Sequence, residues 1–168
     1  MQNNIKRWWD DTEKEKQWWD NTKTDLILKI DLPYVRNYCL NHFGNDIRER
    51  CRIINSQPQY VPHFKCELCS SGNYKKGKTP ACFYPTEVGY VYSCVVCEPS
   101  LTLFKFFEQV NPEIAQKYQW ERWHKKLTGS CYNCPEPPKA LKREYYKKKE
   151  QELKERNKRE YLIKNQNF

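Results

Sequence analysis

The sequence predicts an α+β protein: a small ribbon carrying an antiparallel hairpin, flanked by helices at both ends and finished by a long charged C-terminal helix. Three observations predict it. Two Cys-x-x-Cys pairs, Cys66/Cys69 and Cys94/Cys97, bracket short runs of aromatic and β-branched residues. After Cys97 the apolar period changes to that of a helix, and the last thirty residues are dominated by lysine and glutamate.

At 168 residues the chain has room for one domain of ordinary size with a tail. Hydrophobic residues make up 38% and charged residues 30%, so the core must be small for the length and something else must help to hold it. The formal net charge is +9; residues 139–168 hold eleven basic and five acidic side chains and so supply most of it. Such a balance suits polyanionic partners. No basic-then-apolar leader opens the chain and no apolar run approaches the ~20 residues of a membrane helix, so a cytoplasmic protein without a membrane partner is expected.

Residues 1–62 form a first, helical region in which Trp8-Trp9-Asp10 returns ten residues later as Trp18-Trp19-Asp20. Ten residues are close to three turns, so in a helix the Trp pairs share a face that packs on the domain or on a partner. Pro33 suits the first turn of a helix running to Phe43, with Gly44 as its stop. Residues 55–62, with Pro58 and Pro62, predict a linker.

Residues 63–130 are the second region. Cys82-Phe83-Tyr84 and Val88 to Cys94 predict two antiparallel strands after a lysine-containing loop at 70–78. Leu103, Phe104, Phe107 and Val110 follow the stripe of a short amphipathic helix that Ser100 can cap. Asn111-Pro112-Glu113 then supplies N-cap, first-turn proline and first-turn acid for another helix, ending by Gly129. The third region, 131–168, holds Cys131-Tyr132-Asn133-Cys134, a break at Pro135-Glu136-Pro137-Pro138 and the basic helical tail.

Two Cys-x-x-Cys turns each aim a pair of sulfurs at one point, and together they complete a tetrahedron around Zn²⁺ with Zn–S bonds of about 2.3 Å. Cys66, Cys69, Cys94 and Cys97 are therefore the expected ligands of a structural zinc ribbon, in which metal substitutes for core. A redox dithiol would instead call for a helix directly after its first pair, and none is patterned there. Cys82 suits a small buried residue better than a ligand. Cys39 and His42 with Cys131 and Cys134 offer a second metal set, the alternative being unligated thiols.

The ribbon also offers Lys75, Lys76 and Lys78 in its loop with Tyr84, Tyr90 and Tyr92 on its hairpin. Aromatic faces stack on unpaired bases while lysines meet phosphates, so these six are the candidate nucleic-acid contacts; the alternative use of the aromatics is as the ribbon's own core, and strand alternation allows one face for each.

The run Phe64-Lys65-Cys66-Glu67-Leu68-Cys69, the Lys-rich loop, Phe83-Tyr84, Tyr92-Ser93-Cys94-Val95-Val96-Cys97, Leu103-Phe104-Lys105-Phe106-Phe107 and Asn111 to Tyr118 resembles the N-terminal zinc-binding domain of T-even-type phage DNA primases. The resemblance covers roughly residues 64–129. It implies a domain that recognises template in single-stranded DNA during phage DNA replication, in a host cytoplasm, while a separate TOPRIM domain polymerises. No acidic TOPRIM-like cluster follows here. Ser70-Ser71-Gly72, Ala81-Cys82 and Glu98-Pro99 depart from the family's pattern.

No catalytic set is visible, since His42, His63 and His124 lack neighbouring motifs. The expectation is a non-catalytic, primase-like zinc-ribbon protein that binds single-stranded DNA or RNA. The alternative is an interaction factor that docks on a host or replication protein through its Trp-rich N-terminus and C-terminal helix.

Overall fold

The computed structural model describes residues 12–69, 79–97 and 100–166, with side chains from Thr22 to Asn165 within them. The chain is α+β. Helix α1 (Thr12–Phe43) precedes strands β1 (Arg48–Ile54), β2 (Gln57–Phe64), β3 (Ala81–Thr86), β4 (Gly89–Cys94) and β5 (Leu101–Thr102), followed by helices α2 (Leu103–Val110), α3 (Pro112–His124) and α4 (Lys139–Gln166). The strands form one antiparallel sheet in sequence order. Residues 1–135 make one compact unit and 136–168 another. Among the described residues no helix is long and apolar enough to cross a membrane.

The chain therefore does not divide after residue 62, because β2 runs through that point and belongs to the sheet. Helix α1 does not begin at Pro33 either. Ile27, Asp31, Val35, Tyr38 and Cys39 are buried at helical spacing on both sides of the proline, which is itself exposed. Burying that continuous face outweighs the roughly 3 kcal/mol that an interior proline costs. Trp18 and Trp19 lie on α1, but their side chains, like all of Trp8 and Trp9, fall outside the described residues.

The expected linker at 55–62 is instead half of a hairpin. Asn55 and Ser56 both take positive φ, 49° and 61°, the backbone of a two-residue type I′ turn, and Ile54 pairs with Gln57 across it. Pro58 and Pro62 are an even number of residues apart and so spoil only one side of the strand, leaving the ladder to β1 intact.

Alternation then sorts the sheet into two faces. Phe64, Ala81, Phe83, Tyr90, Tyr92 and Cys94 point inward and are buried. Tyr38 of α1 meets Phe64, Phe83 and Phe106 with centroids at 6.3, 5.7 and 5.1 Å, and Tyr92 stacks on Phe106 at 4.4 Å. This aromatic cluster is the centre of the core. On the other face lie His63, Cys82, Tyr84, Thr86, Val91 and Ser93.

Helix α2 is capped by Thr102, whose hydroxyl accepts from the Lys105 N–H at 3.3 Å, and not by Ser100. Leu101 and Thr102 are held as strand against β4. That anchoring turns Leu103, Phe106 and Phe107 into the core in place of the expected Phe104 and Val110, which are only partly buried. Helix α3 starts as the sequence predicts, with Asn111 Oδ1 accepting from Ile114 N at 3.3 Å and Pro112 at its first position. It ends at His124, short of Gly129, because Lys126 turns left-handed (φ 58°) and folds the apolar Leu127 back into the core.

A fully buried ion pair ties these elements together. Arg122 Nη1 of α3 lies 3.2 Å from Asp31 Oδ1 of α1. Asp31 also accepts from the Tyr118 hydroxyl and from the Tyr90 N–H, each at 2.9 Å. Arg122 donates further to the carbonyls of Leu127, Val88 and Tyr132. Burial pushes the Asp31 carboxyl up to about 6, against the opposing pull of Arg122 and the two donors.

Gly89, at φ +121°, lets the β3–β4 turn approach this pair: a Cβ there would meet Asp31 Oδ2 at 2.5 Å. Gly89→Ala is expected to destabilise the fold by about 3 kcal/mol or more, backbone strain and the clash acting together. The midpoint of urea unfolding checks it, and a shift below about 1 kcal/mol would show that the turn yields freely.

Candidate metal centre

The register of three strands brings the two Cys-x-x-Cys turns together. Phe64 pairs with Ala81 and Ala81 with Cys94, so the end of β2 and the end of β4 lie on either side of the start of β3. Cys66 follows β2 by two residues and Cys94 closes β4. The Val95 N–H donates to the Pro80 carbonyl at 3.1 Å and fixes the second turn to the same place.

All four sulfurs lie within 4.8 Å of one another. Cys66 and Cys97 are 3.5 Å apart and Cys69 and Cys94 3.6 Å, while the Cys69 and Cys97 sulfurs are in direct contact. A tetrahedron of ~2.3 Å metal–sulfur bonds has edges of about 3.8 Å, so the cross-pairs stand close to ligand spacing. A disulfide between Cys69 and Cys97 would strand the buried sulfurs of Cys66 and Cys94 beside it. The set is better matched as a whole to one metal ion.

Its hydrogen bonds point the same way. Cys69 N–H donates to Cys66 Sγ at 3.3 Å, and Val96 N–H to Cys94 Sγ at 3.4 Å. The Tyr92 hydroxyl also touches Cys66 Sγ. Burial pushes the Cys66 thiol up, and the Tyr92 hydroxyl and the backbone N–H groups oppose that by favouring thiolate. The group could hold a metal ion in a closed all-sulfur shell, the donor chemistry that selects zinc or iron among common metals.

The second expected set does not assemble. Among the described residues the four cysteines above are the only group of three or more His, Cys, Asp or Glu side chains within ligand reach of each other. Cys39 is buried in α1, with its thiol pushed up to about 12 by burial. Cys134 is buried beside Arg122 and Asp31 and is likewise pushed up to about 12. His42 stacks on Tyr38 at 4.1 Å and turns Nδ1 to the Tyr38 carbonyl, while Cys131 is exposed. The turn at 131–134 instead closes on itself, Gly129 N–H donating to the Cys134 carbonyl at 2.8 Å.

Of the six candidate nucleic-acid contacts, Lys75, Lys76 and Lys78 lie outside the described residues. Tyr84 is on the outer face and half-buried. Tyr90 and Tyr92 are core residues, each 1% exposed. Register decides this: Pro85 pairs with Tyr90 and Phe83 with Tyr92, so both share the parity of the metal-site residue Cys94.

Arginines 48, 50 and 52 were not singled out from sequence. They occupy alternate positions of the edge strand β1, all exposed, opposite His63, Val61 and Gln59. They therefore share the outer face with His63 and Tyr84. Burial lowers the His63 imidazole from its ordinary value, and the nearby cations Arg50 and Arg48 lower it further. The strict Arg-x-Arg-x-Arg alternation is the strand signal that the prolines downstream obscured.

No protein-family model, curated protein or solved structure matches this chain. The primase resemblance therefore rests on the motif residues alone.

Proposed function

We propose that this protein binds single-stranded nucleic acid on the outer face of its sheet, with zinc in the four-cysteine centre holding that sheet in shape. The carrying observation is the row Arg48, Arg50 and Arg52, spaced two strand residues or about 6.8 Å apart, on the same face as Tyr84. An extended single strand offers successive phosphates at a comparable pitch, and Tyr84 supplies a ring for an unpaired base. Helices α1 and α2 pack on the other face. The basic balance of the chain favours the same partner, and the primase resemblance implies a role in phage DNA replication.

Zinc is the metal of this reading because four thiolates in two knuckles form a structural site with no open position. It would contribute stability and shape, with no part in chemistry.

Fluorescence anisotropy with labelled dT20 tests the reading. Binding is expected at about 50 mM salt, with log K falling against log salt by roughly 0.7 for each phosphate neutralised. Arg50→Glu combined with Arg52→Glu is expected to weaken binding at least about tenfold and to flatten that slope by about 1.4, with melting temperature unchanged because both side chains are exposed. Charged edge strands also guard against strand-to-strand aggregation. Unchanged dT20 affinity in the double variant would assign the arginines to that role and overturn the proposed interface.

A further inference from the structure

The basic row leads to a cavity. It has a volume of about 880 Å³ and lies where the end of α1, the start of β1 and the first cysteine turn meet. Its wall includes His42, Phe43, Asp46, Arg48, Lys65 and Glu67, together with Cys66 of the four-cysteine cluster.

Two properties give the cavity a direction. Arg48 belongs both to its wall and to the outer-face row, so cavity and row are continuous. The wall is also divided by chemistry. His42 and Phe43 provide flat rings, with the imidazole fixed by its bond to the Tyr38 carbonyl. Arg48 and Lys65 provide cations that, among the described residues, form no ion pair. Of the two acids, Glu67 is engaged by the Tyr38 hydroxyl, which leaves Asp46 as an acceptor for a base edge. The volume lies in the range of small-molecule sites, roughly 300–1,000 Å³.

We propose that this cavity receives one nucleotide of the bound strand, its base against the His42 and Phe43 rings and its phosphate on Arg48 and Lys65. This rests on the outer-face reading above and adds a fixed end to it. A nucleotide held in the cavity sets where the strand starts along the row, which a file of phosphate contacts alone cannot do, since such contacts carry no register of the bases. Because Cys66 is part of the wall, the cavity depends on the four-cysteine cluster for its shape.

The experiment is a titration of the full ¹⁵N-labelled, zinc-loaded chain with the 5′-monophosphates of adenosine, guanosine, cytidine and uridine, followed by amide shifts, beside dT20 anisotropy on the same preparation. Shifts confined to 42–48 and 65–67 are expected. His42→Ala, an exposed helix position, is expected to weaken the mononucleotide about tenfold through lost stacking, and Lys65→Glu to do at least as much. Zinc content and melting temperature of both variants establish that they are folded.

Inorganic phosphate alone reproducing the shifts overturns the nucleotide assignment. If dT20 binds and mononucleotides give no shifts at these residues, the cavity proposal fails and the outer-face reading stands. If mononucleotides shift these residues and dT20 does not bind, the cavity is a free-nucleotide site and the outer-face reading fails.

Discussion

Cys94→Ser is expected to lower the melting temperature by at least about 15 °C, or to leave the chain unfolded at room temperature. Structural zinc in small fingers contributes roughly 10–16 kcal/mol of apparent free energy, which matches or exceeds the ~5–15 kcal/mol that separates a whole domain from its unfolded state. This chain has an aromatic core besides its metal centre, so part of the loss is absorbed. Even about 4 kcal/mol, at roughly 4 °C per kcal/mol for a unit of this size, gives the stated shift. The effect should be large because Cys94 ends β4 opposite Ala81, and releasing it frees the corner where β2, β3 and β4 meet. A strong chelator added to the wild type should reproduce it. Cys131→Ser, at an exposed position outside the centre, should cost little.

Circular dichroism with elemental analysis reads the outcome. One zinc per chain is expected in the wild type, and none in Cys94→Ser. Thiol titration in denaturant with chelator and no reductant should find all nine cysteines. Two fewer would mean that Cys69 and Cys97 are joined as a disulfide, and a Cys94→Ser variant melting within a few degrees of wild type would end the metal reading.

The second large effect is expected at the buried ion pair. Arg122→Met should destabilise the unit by about 3–5 kcal/mol, because it leaves the Asp31 carboxylate buried without its cation and orphans the carbonyls of Leu127, Val88 and Tyr132. Asp31→Leu together with Arg122→Met should recover much of that loss, since removing both charges also removes their desolvation. If the double variant is no more stable than Arg122→Met, the carbonyl contacts and not the charge dominate. Chemical denaturation of the three proteins separates the cases.

The same pair has a pH signature. The folded-state pKa of Asp31 is raised from 3.8 to about 6, so the stability this group contributes is complete below about 4 and is lost as pH rises through 6. Relative to Asp31→Asn, the wild type should therefore lose stability between pH 4 and 6 and run parallel above. A difference that grows with pH across that window would contradict the direction assigned to Asp31.

The four-cysteine cluster and the start of α3 were legible because both are written in local spacing. A Cys-x-x-Cys pair needs only its own turn to aim two sulfurs, and Asn111-Pro112-Glu113 caps a helix whatever lies around it. The β1–β2 hairpin was missed because Pro58 and Pro62 carry a strong local signal for irregular chain. Their actual tolerance depends on which side of the strand has a partner, and that is a property of the sheet. Pro33 misled for a related reason: its local cost is fixed, but the buried face that outweighs it is made with β2, β4 and α3.

By itself the sequence determined the four-cysteine cluster, the hairpin between its two pairs, the N-cap of α3 and the basic balance, all of which depend on contacts a few residues long. The tertiary structure alone decided which aromatic rings are core. Tyr84 and Tyr90 look alike in sequence, yet register puts Tyr90 under α1 and leaves Tyr84 on the outer face with three arginines from a strand thirty residues earlier. Strand parity is relative, so it acquires an inside and an outside only when helices pack on one side of the sheet, as α1 and α2 do here on the side of Tyr90 and Tyr92.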